Sequence, residues 1–179
     1  MDSAEAITKH VDPNFVAGQS IHRNEFGIKN GIFWSNNGEI VAFYEKDETD
    51  VHDYPLLEIN QTPGSLKSVK YPMAGQTSEY GKVGVYNTKR KTLIYLQPVH
   101  EKDDYVTNLT WSPNDEFIYI AELNRDQNHM KWAQYDVNTG KRIKTIFEEK
   151  NNKWVEPEYP LYFIPCLLYT SPSPRDNTG

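Results

Sequence analysis

Apolar and polar positions alternate with a period of two along most of this chain, in short runs closed by Asn, Gly, Asp and Pro. That is the pattern of half-buried strands joined by tight turns, and long helical periodicity is scarce. One strand pair recurs. Trp34-Ser35-Asn36-Asn37-Gly38-Glu39-Ile40-Val41-Ala42-Phe43 matches Trp111-Ser112-Pro113-Asn114-Asp115-Glu116-Phe117-Ile118-Tyr119-Ile120. Each copy reads as a strand ending in Trp-Ser, a tight turn, and a second apolar strand. A second shared piece follows, in which residues 83–92 parallel residues 133–142 as strand, polar turn and return strand.

Two hairpins per unit make four strands per unit, the arithmetic of a propeller blade. The pattern therefore predicts an all-β chain: an incomplete β-propeller of about two four-stranded antiparallel blades plus the start of a third. The third copy is expected to begin at Leu161-Tyr162-Phe163-Ile164-Pro165, with Phe163 in the slot of Trp111. Trp34 and Trp111 are expected at equivalent buried positions. Their spacing of 77 residues exceeds the roughly 40–50 of an ordinary blade. The excess falls in the first unit, so residues near 45–80 should hold an insertion or long edge hairpin. Its Tyr54-Pro55 and Tyr71-Pro72-Met73-Ala74-Gly75 read as turns and edge positions. Two blades and a stub cannot close a ring, so exposed sheet edges and half a core are expected.

Composition changes this picture at one place. Cys166-Leu167-Leu168-Tyr169-Thr170-Ser171-Pro172-Ser173-Pro174-Arg175-Asp176 shares neither pattern nor composition with what precedes it. It resembles translated adapter read-through; the other reading is a genuine Ser/Pro linker. The expected organisation is one domain over 1–165 and a non-native tail over 166–179. The only cysteine lies in that tail and carries no redox information. A net charge of −6 argues against a nucleic-acid or anionic-membrane surface. No apolar run reaches the roughly 18 residues that span a bilayer. Met1-Asp2-Ser3-Ala4-Glu5 is acidic and lacks an apolar stretch, so a signal peptide is not expected there.

Self-contained chemistry is sparse. The sequence has no Gly-x-Ser-x-Gly elbow, no Gly-x-Gly-x-x-Gly and no phosphate loop. The five histidines lack the i, i+4 pairing of a zinc helix. Asp47-Glu48-Thr49-Asp50-Val51-His52-Asp53 could be taken for a metal site, but a charged run beside a turn reads first as a solvated loop. Neither metal nor cofactor is implied. Asn60-Gln61-Thr62 and Asn108-Leu109-Thr110 match the glycosylation sequon, a pattern frequent by chance.

His22-Arg23-Asn24-Glu25-Phe26-Gly27-Ile28, Phe33-Trp34-Ser35, Ala42-Phe43-Tyr44, Tyr54-Pro55, Tyr71-Pro72-Met73-Ala74-Gly75 and Thr107-Asn108-Leu109-Thr110-Trp111-Ser112-Pro113 together resemble the propeller of bacterial dipeptidyl peptidase IV, a prolyl oligopeptidase-type serine peptidase. The similarity continues through Ala121-Glu122-Leu123-Asn124-Arg125 and Val155-Glu156-Pro157, covers nearly all of 18–165, and keeps family order. The resemblance implies an N-terminal propeller and a C-terminal α/β-hydrolase domain in cis, bearing a Ser-Asp-His triad. The reaction it implies is release of an N-terminal dipeptide with Pro or Ala second. No catalytic residue falls in this chain, which would be inactive alone. The implied partners are peptides with a free N-terminus and a second copy in a homodimer. The implied location is the periplasm or cell envelope.

The family often anchors the substrate amine with two adjacent glutamates on a short helical segment projecting from a blade. Here Glu25 fits one of them, and its neighbour is the amide Asn24. A carboxylate in a confined cavity holds an ammonium by charge-assisted hydrogen bonding. An internal peptide segment would leave it unpaired, which restricts cleavage to chain ends. Glu25 with Asn24 assisting is thus the candidate substrate-binding pair. The competing reading of Glu25 is a surface carboxylate paired with Arg23 or Lys29. The competing reading of the whole is a non-catalytic propeller used as a binding or scaffold module.

Overall fold

In a computed structural model, residues 4–99 and 102–164 are described. They form eleven strands and no α-helix. These are β1 (Phe15–Ala17), β2 (Ile32–Trp34), β3 (Ile40–Asp47), β4 (Asp53–Glu58), β5 (Ser65–Lys70), β6 (Tyr80–Asn87), β7 (Thr92–Tyr95), β8 (Tyr105–Trp111), β9 (Phe117–Leu123), β10 (His129–Asp136) and β11 (Arg142–Lys150). Every strand pair among them is antiparallel.

The first blade is β3-β6-β7, with β2 and β1 sharing the free edge of β3: β2 pairs with Val41 to Phe43 and β1 with Glu45 to Asp47. The second is an uninterrupted meander, β8-β9-β10-β11. The expected insertion is the separate hairpin β4-β5, standing between β3 and β6. Pro55 lies in that two-stranded hairpin, where a missing N–H is tolerated.

The repeat holds down to individual hydrogen bonds. Ser35 N–H donates to the Ile40 carbonyl (2.9 Å), and its hydroxyl accepts from the Ile40 N–H (3.0 Å). Ser112 does the same with Phe117, at 2.8 and 2.9 Å. The hydroxyl then donates to Asn37 in one turn and to Asn114 in the other. Serine is used because its short side chain serves the turn's backbone, which an apolar residue cannot do.

The main core lies between the two sheets. Alternate residues of β3 and β6 (Ala42, Tyr44, Val83, Val85) face alternate residues of β9 and β10 (Ile118, Ile120, Ala133, Tyr135). Polar contacts sew the same seam. Trp111 Nε1 donates to the Phe33 carbonyl (3.1 Å), and the Tyr44 hydroxyl accepts from Leu109 N–H (3.2 Å). A second cluster covers the far face of the second blade, from Ala121, Leu123, Met130 and Trp132 to Phe26, Tyr105 and Val155.

The expectation that both tryptophans are core fails for Trp34, which is 57% exposed, whereas Trp111 packs partly buried against the core. The two positions are equivalent in register, opposite Val41 and Ile118. The difference is the neighbour: the first blade covers Trp111, and no described segment lies over Trp34. Residues 151–164 carry no strand, although the Phe163 ring packs on Tyr119 of the second blade at 5.3 Å. The tail 166–179 lies outside the described residues.

Unequal burial predicts unequal cost. Trp111→Phe removes the bond to Phe33 and should lower stability by about 1 kcal/mol. Trp34→Phe should stay within about 0.5 kcal/mol. Urea unfolding of the two variants checks the pair; equal losses would contradict the seam described above.

Candidate functional site

The loop between β1 and β2 is built from left-handed backbone. His22, Arg23 and Asn24 have φ of +51°, +57° and +63°, Phe26 has +55° and Gly27 has +71°. The short helical segment implied by the family resemblance is here a three-residue turn of left-handed sense. Asn accepts such angles readily, while Arg and Phe do so at a cost. Surrounding contacts must therefore hold the turn.

They do so from several directions. The His22 N–H donates to the buried Glu79 carboxylate, and the ring Nε2 accepts from Val106 N–H of β8 (3.2 Å). That acceptance fixes the His22 proton on Nδ1 when the ring is neutral. The Arg23 guanidinium leaves the turn altogether, donating to the Lys70 carbonyl (2.7 Å) and lying over the Tyr71 ring at 4.4 Å. Phe26 is buried against Tyr105, with ring centroids 5.0 Å apart. Backbone bonds Asn24 N–H to Ile21 O (3.1 Å), Glu25 N–H to His22 O (3.0 Å) and Ile28 N–H to Glu25 O (3.1 Å) close the turn.

Asn24 and Glu25 project from this turn into a cavity of about 560 Å³. Its walls include Phe33 and Tyr44 of the first blade, Asn108 and Leu109 of β8, and Glu156, Glu158 and Tyr159 of the segment after β11. Glu25 forms no hydrogen bond or ion pair with its side chain among the described residues. Pairing with Arg23 is ruled out by where that guanidinium goes, and Lys29 lines the cavity without reaching Glu25 as an ion pair. Burial pushes the Tyr44 phenol well above its ordinary pKa, so it stays neutral and accepts from Leu109.

Sequence reasoning missed the far wall. Asn108 sits in a bulge of β8, between Thr107 and Thr110, with φ +55°. Its amide donates to the Pro157 carbonyl at 2.6 Å, pinning the segment 156–160. Gly27 permits the same closure: a Cβ there would lie 2.0 Å from the Glu158 carbonyl oxygen. The resemblance touched both Asn108 and Glu156, but no periodicity marks them as facing Glu25.

Other sequence candidates resolve simply. In the acidic run, Asp47 accepts from Thr49 N–H, Glu48 pairs with Lys46 (2.9 Å), Asp50 with Lys102 (2.6 Å) and Asp53 with Lys70 (3.6 Å). It is a turn whose carboxylates are met by three lysines and a backbone N–H. The sequon residue Asn108 is only 6% exposed and already bonded, so it cannot accept a glycan in this fold. No helix among the described residues is long and apolar enough to cross a membrane.

Comparison with known proteins bears on the family and the fold. Residues 1–178 match the family profile described as the dipeptidyl peptidase IV N-terminal region. A structure from Bacteroides ovatus, assigned as a dipeptidyl aminopeptidase IV, superposes with a TM-score of 0.84 at 45% identity, over 90% of this chain and 23% of that one. Porphyromonas gingivalis dipeptidyl peptidase 4 superposes with a TM-score of 0.76 at 22% identity, over 85% of this chain and 22% of its own, which speaks for the fold. The protein assigned as dipeptidyl-aminopeptidase B in Tuber melanosporum is 24% identical over 185 residues, 92% of this chain and 20% of its own length. Its counterpart in Uncinocarpus reesii is 23% identical over 158 residues, 79% of this chain and 17% of its own. The chain thus spans about a fifth of the length of the relatives it matches.

Gly27→Ala tests the closure. The added Cβ meets backbone in a left-handed position, so a loss of about 1–3 kcal/mol is expected. Trypsin should cut faster after Lys153, because the segment 156–160 must move away. Unchanged cleavage would separate the glycine from the cavity wall.

Proposed function

Because the chain belongs to the dipeptidyl peptidase IV N-terminal region family, we propose that it is the propeller portion of a serine dipeptidyl peptidase and supplies the carboxylate that receives the substrate's N-terminal amine. One observation carries this reading: Glu25, without a side-chain partner among the described residues, is held by a strained and heavily anchored turn at the mouth of a cavity. A carboxylate left unpaired in such a place suits a cationic ligand.

The reaction would be removal of N-terminal Xaa-Pro or Xaa-Ala dipeptides by a Ser-Asp-His hydrolase domain in cis. Glu25 would set the distance between the free amine and the nucleophile, so that only the second peptide bond reaches it. A chain segment without a free amine would bury the carboxylate unpaired and be disfavoured. Asn24, beside it on the turn, would add a neutral hydrogen bond. The periplasm or cell envelope and a homodimeric assembly belong to the same reading, by family analogy.

In the full-length enzyme, Glu25→Gln keeps shape and removes charge. It should lower kcat/KM by about 30- to 1,000-fold, the loss of a charge-assisted bond worth roughly 2–4 kcal/mol, with little change in Tm. Asn24→Ala should cost less, about 0.5–1.5 kcal/mol. Unchanged kinetics in Glu25→Gln would move the anchor elsewhere and favour a scaffold role. A polypeptide of these 179 residues alone should hydrolyse a Gly-Pro chromogenic substrate at the blank rate, since its sequence has no Gly-x-Ser-x-Gly nucleophile elbow.

A further inference from the structure

The inserted hairpin serves neither blade as a strand. Among the described residues β4 and β5 pair only with each other, and Leu57, Ile59 and Leu66 stand exposed on them. A two-stranded hairpin is marginal by itself, so contacts at its base must hold it. That base is packed. Tyr71 N–H donates to the His52 carbonyl (3.0 Å), Lys70 Nζ donates to the Val51 carbonyl (3.0 Å), and the Tyr54 and Tyr71 rings lie 5.8 Å apart. Arg23 joins the same spot from the turn that carries Glu25. Its guanidinium donates to the Lys70 carbonyl at 2.7 Å and covers the Tyr71 ring at 4.4 Å. The chain returning from the hairpin to β6 then meets the turn a second time, where Glu79 accepts from the His22 N–H. Glu79 is fixed in its own place by Lys46 of β3, at 3.5 Å.

We propose that the inserted hairpin is a positioning element for Glu25, with Arg23 as the positioning residue through which it acts. This rests on the reading of Glu25 as the amine anchor. Arg23 stands two places before Glu25, at φ +57°, a left-handed backbone that arginine adopts at a cost. Without contacts beyond the turn, an arginine there would relax to an ordinary conformation and carry Asn24 and Glu25 with it. The hairpin base offsets that cost. A guanidinium suits the task because one planar group both donates to a carbonyl and lies flat on a ring, which an ammonium cannot do. The two holds on the turn differ in kind. His22 is buried and tied to β8 and Glu79, so its hold belongs to the fold. Arg23 is exposed and tied to the insertion, so its hold follows the hairpin. Arg23 itself touches no substrate atom; it sets where the carboxylate stands.

The test uses the full-length enzyme and an Xaa-Pro chromogenic substrate with a free amine. Arg23→Asn keeps a residue that accepts left-handed backbone but is too short to reach Lys70 or Tyr71. Tyr71→Leu makes the same cut from the hairpin side. Both positions are exposed, so Tm should hold. Each variant should raise KM about three- to ten-fold, with a smaller effect on kcat. Arg23→Lys, which keeps the charge and loses the planar face, should fall between Arg23→Asn and the parent. The readout that a merely structural role would not move is the cycle with Glu25→Gln. In that background Arg23→Asn and Tyr71→Leu should add nothing, because the group they position has lost its charge. A normal KM in both, beside an impaired Glu25→Gln, overturns the hairpin's role and leaves Glu25 as the anchor. Losses that persist undiminished in the Glu25→Gln background overturn it as well, and make the hairpin a support of the fold alone. A normal Glu25→Gln with a raised KM in Arg23→Asn overturns the anchor reading, and this route falls with it.

Discussion

A bulge in β8 governs the geometry around the cavity. Between Thr107 and Thr110 the strand leaves its ladder register, and amides on both sides of that break turn to the neighbouring blade. Val106 N–H goes to the His22 ring and Leu109 N–H to the Tyr44 hydroxyl. Both acceptors are buried, so neither could pair with water if β8 shifted. The first bond orders the turn that carries Glu25, and the second fixes the cavity floor. Asn108, within the bulge, reaches the opposite way to hold the third wall. Bulges re-aim side chains where a regular strand would alternate them, and this one serves three walls at once.

Strain and support are balanced locally. Four non-glycine residues between 22 and 26 hold positive φ, an arrangement that would relax in isolation. Three of them are tied to different parts of the fold: His22 to β8 and Glu79, Arg23 to the end of β5, and Phe26 to the second apolar cluster. Asn24, the fourth, has no tertiary bond from its side chain among the described residues, and its residue type tolerates the angle best. The backbone of the loop is over-determined while its two exposed polar side chains remain available.

The strands, the repeat and the inserted hairpin were legible because each rests on local chemistry. A period of two, Ser at the start of each turn, and Asn, Gly or Asp within it suffice to write them. Trp34 was misread because burial belongs to the neighbour and not to the residue; the same motif is covered in one copy and bare in the other. Glu25 was found only through family resemblance, since nothing in the neighbourhood of an exposed glutamate announces a cavity. The wall at 156–160 has no regular structure and hence no period to read. Its position comes from two contacts, Gly27 with Glu158 and Asn108 with Pro157, that join residues far apart in the chain.

The two Trp-Ser turns also touch each other. Asp115 accepts from the N–H groups of Asn36 (2.8 Å) and Asn37 (2.9 Å), one from each carboxylate oxygen. The turns are near copies, yet this contact cannot be reciprocated. The position matching Asp115 in the first copy is Gly38, which has no carboxylate, and the position matching Asn36 in the second is Pro113, which has no N–H. One blade is therefore a plug and the other a socket, and exchanging them would set a glycine against a proline, with neither the carboxylate nor the Asn36 N–H left to pair. Blade order in a repetitive architecture needs some mark to prevent mis-stacking of similar units. Here two residues of an otherwise shared motif write that mark, with no change to either strand.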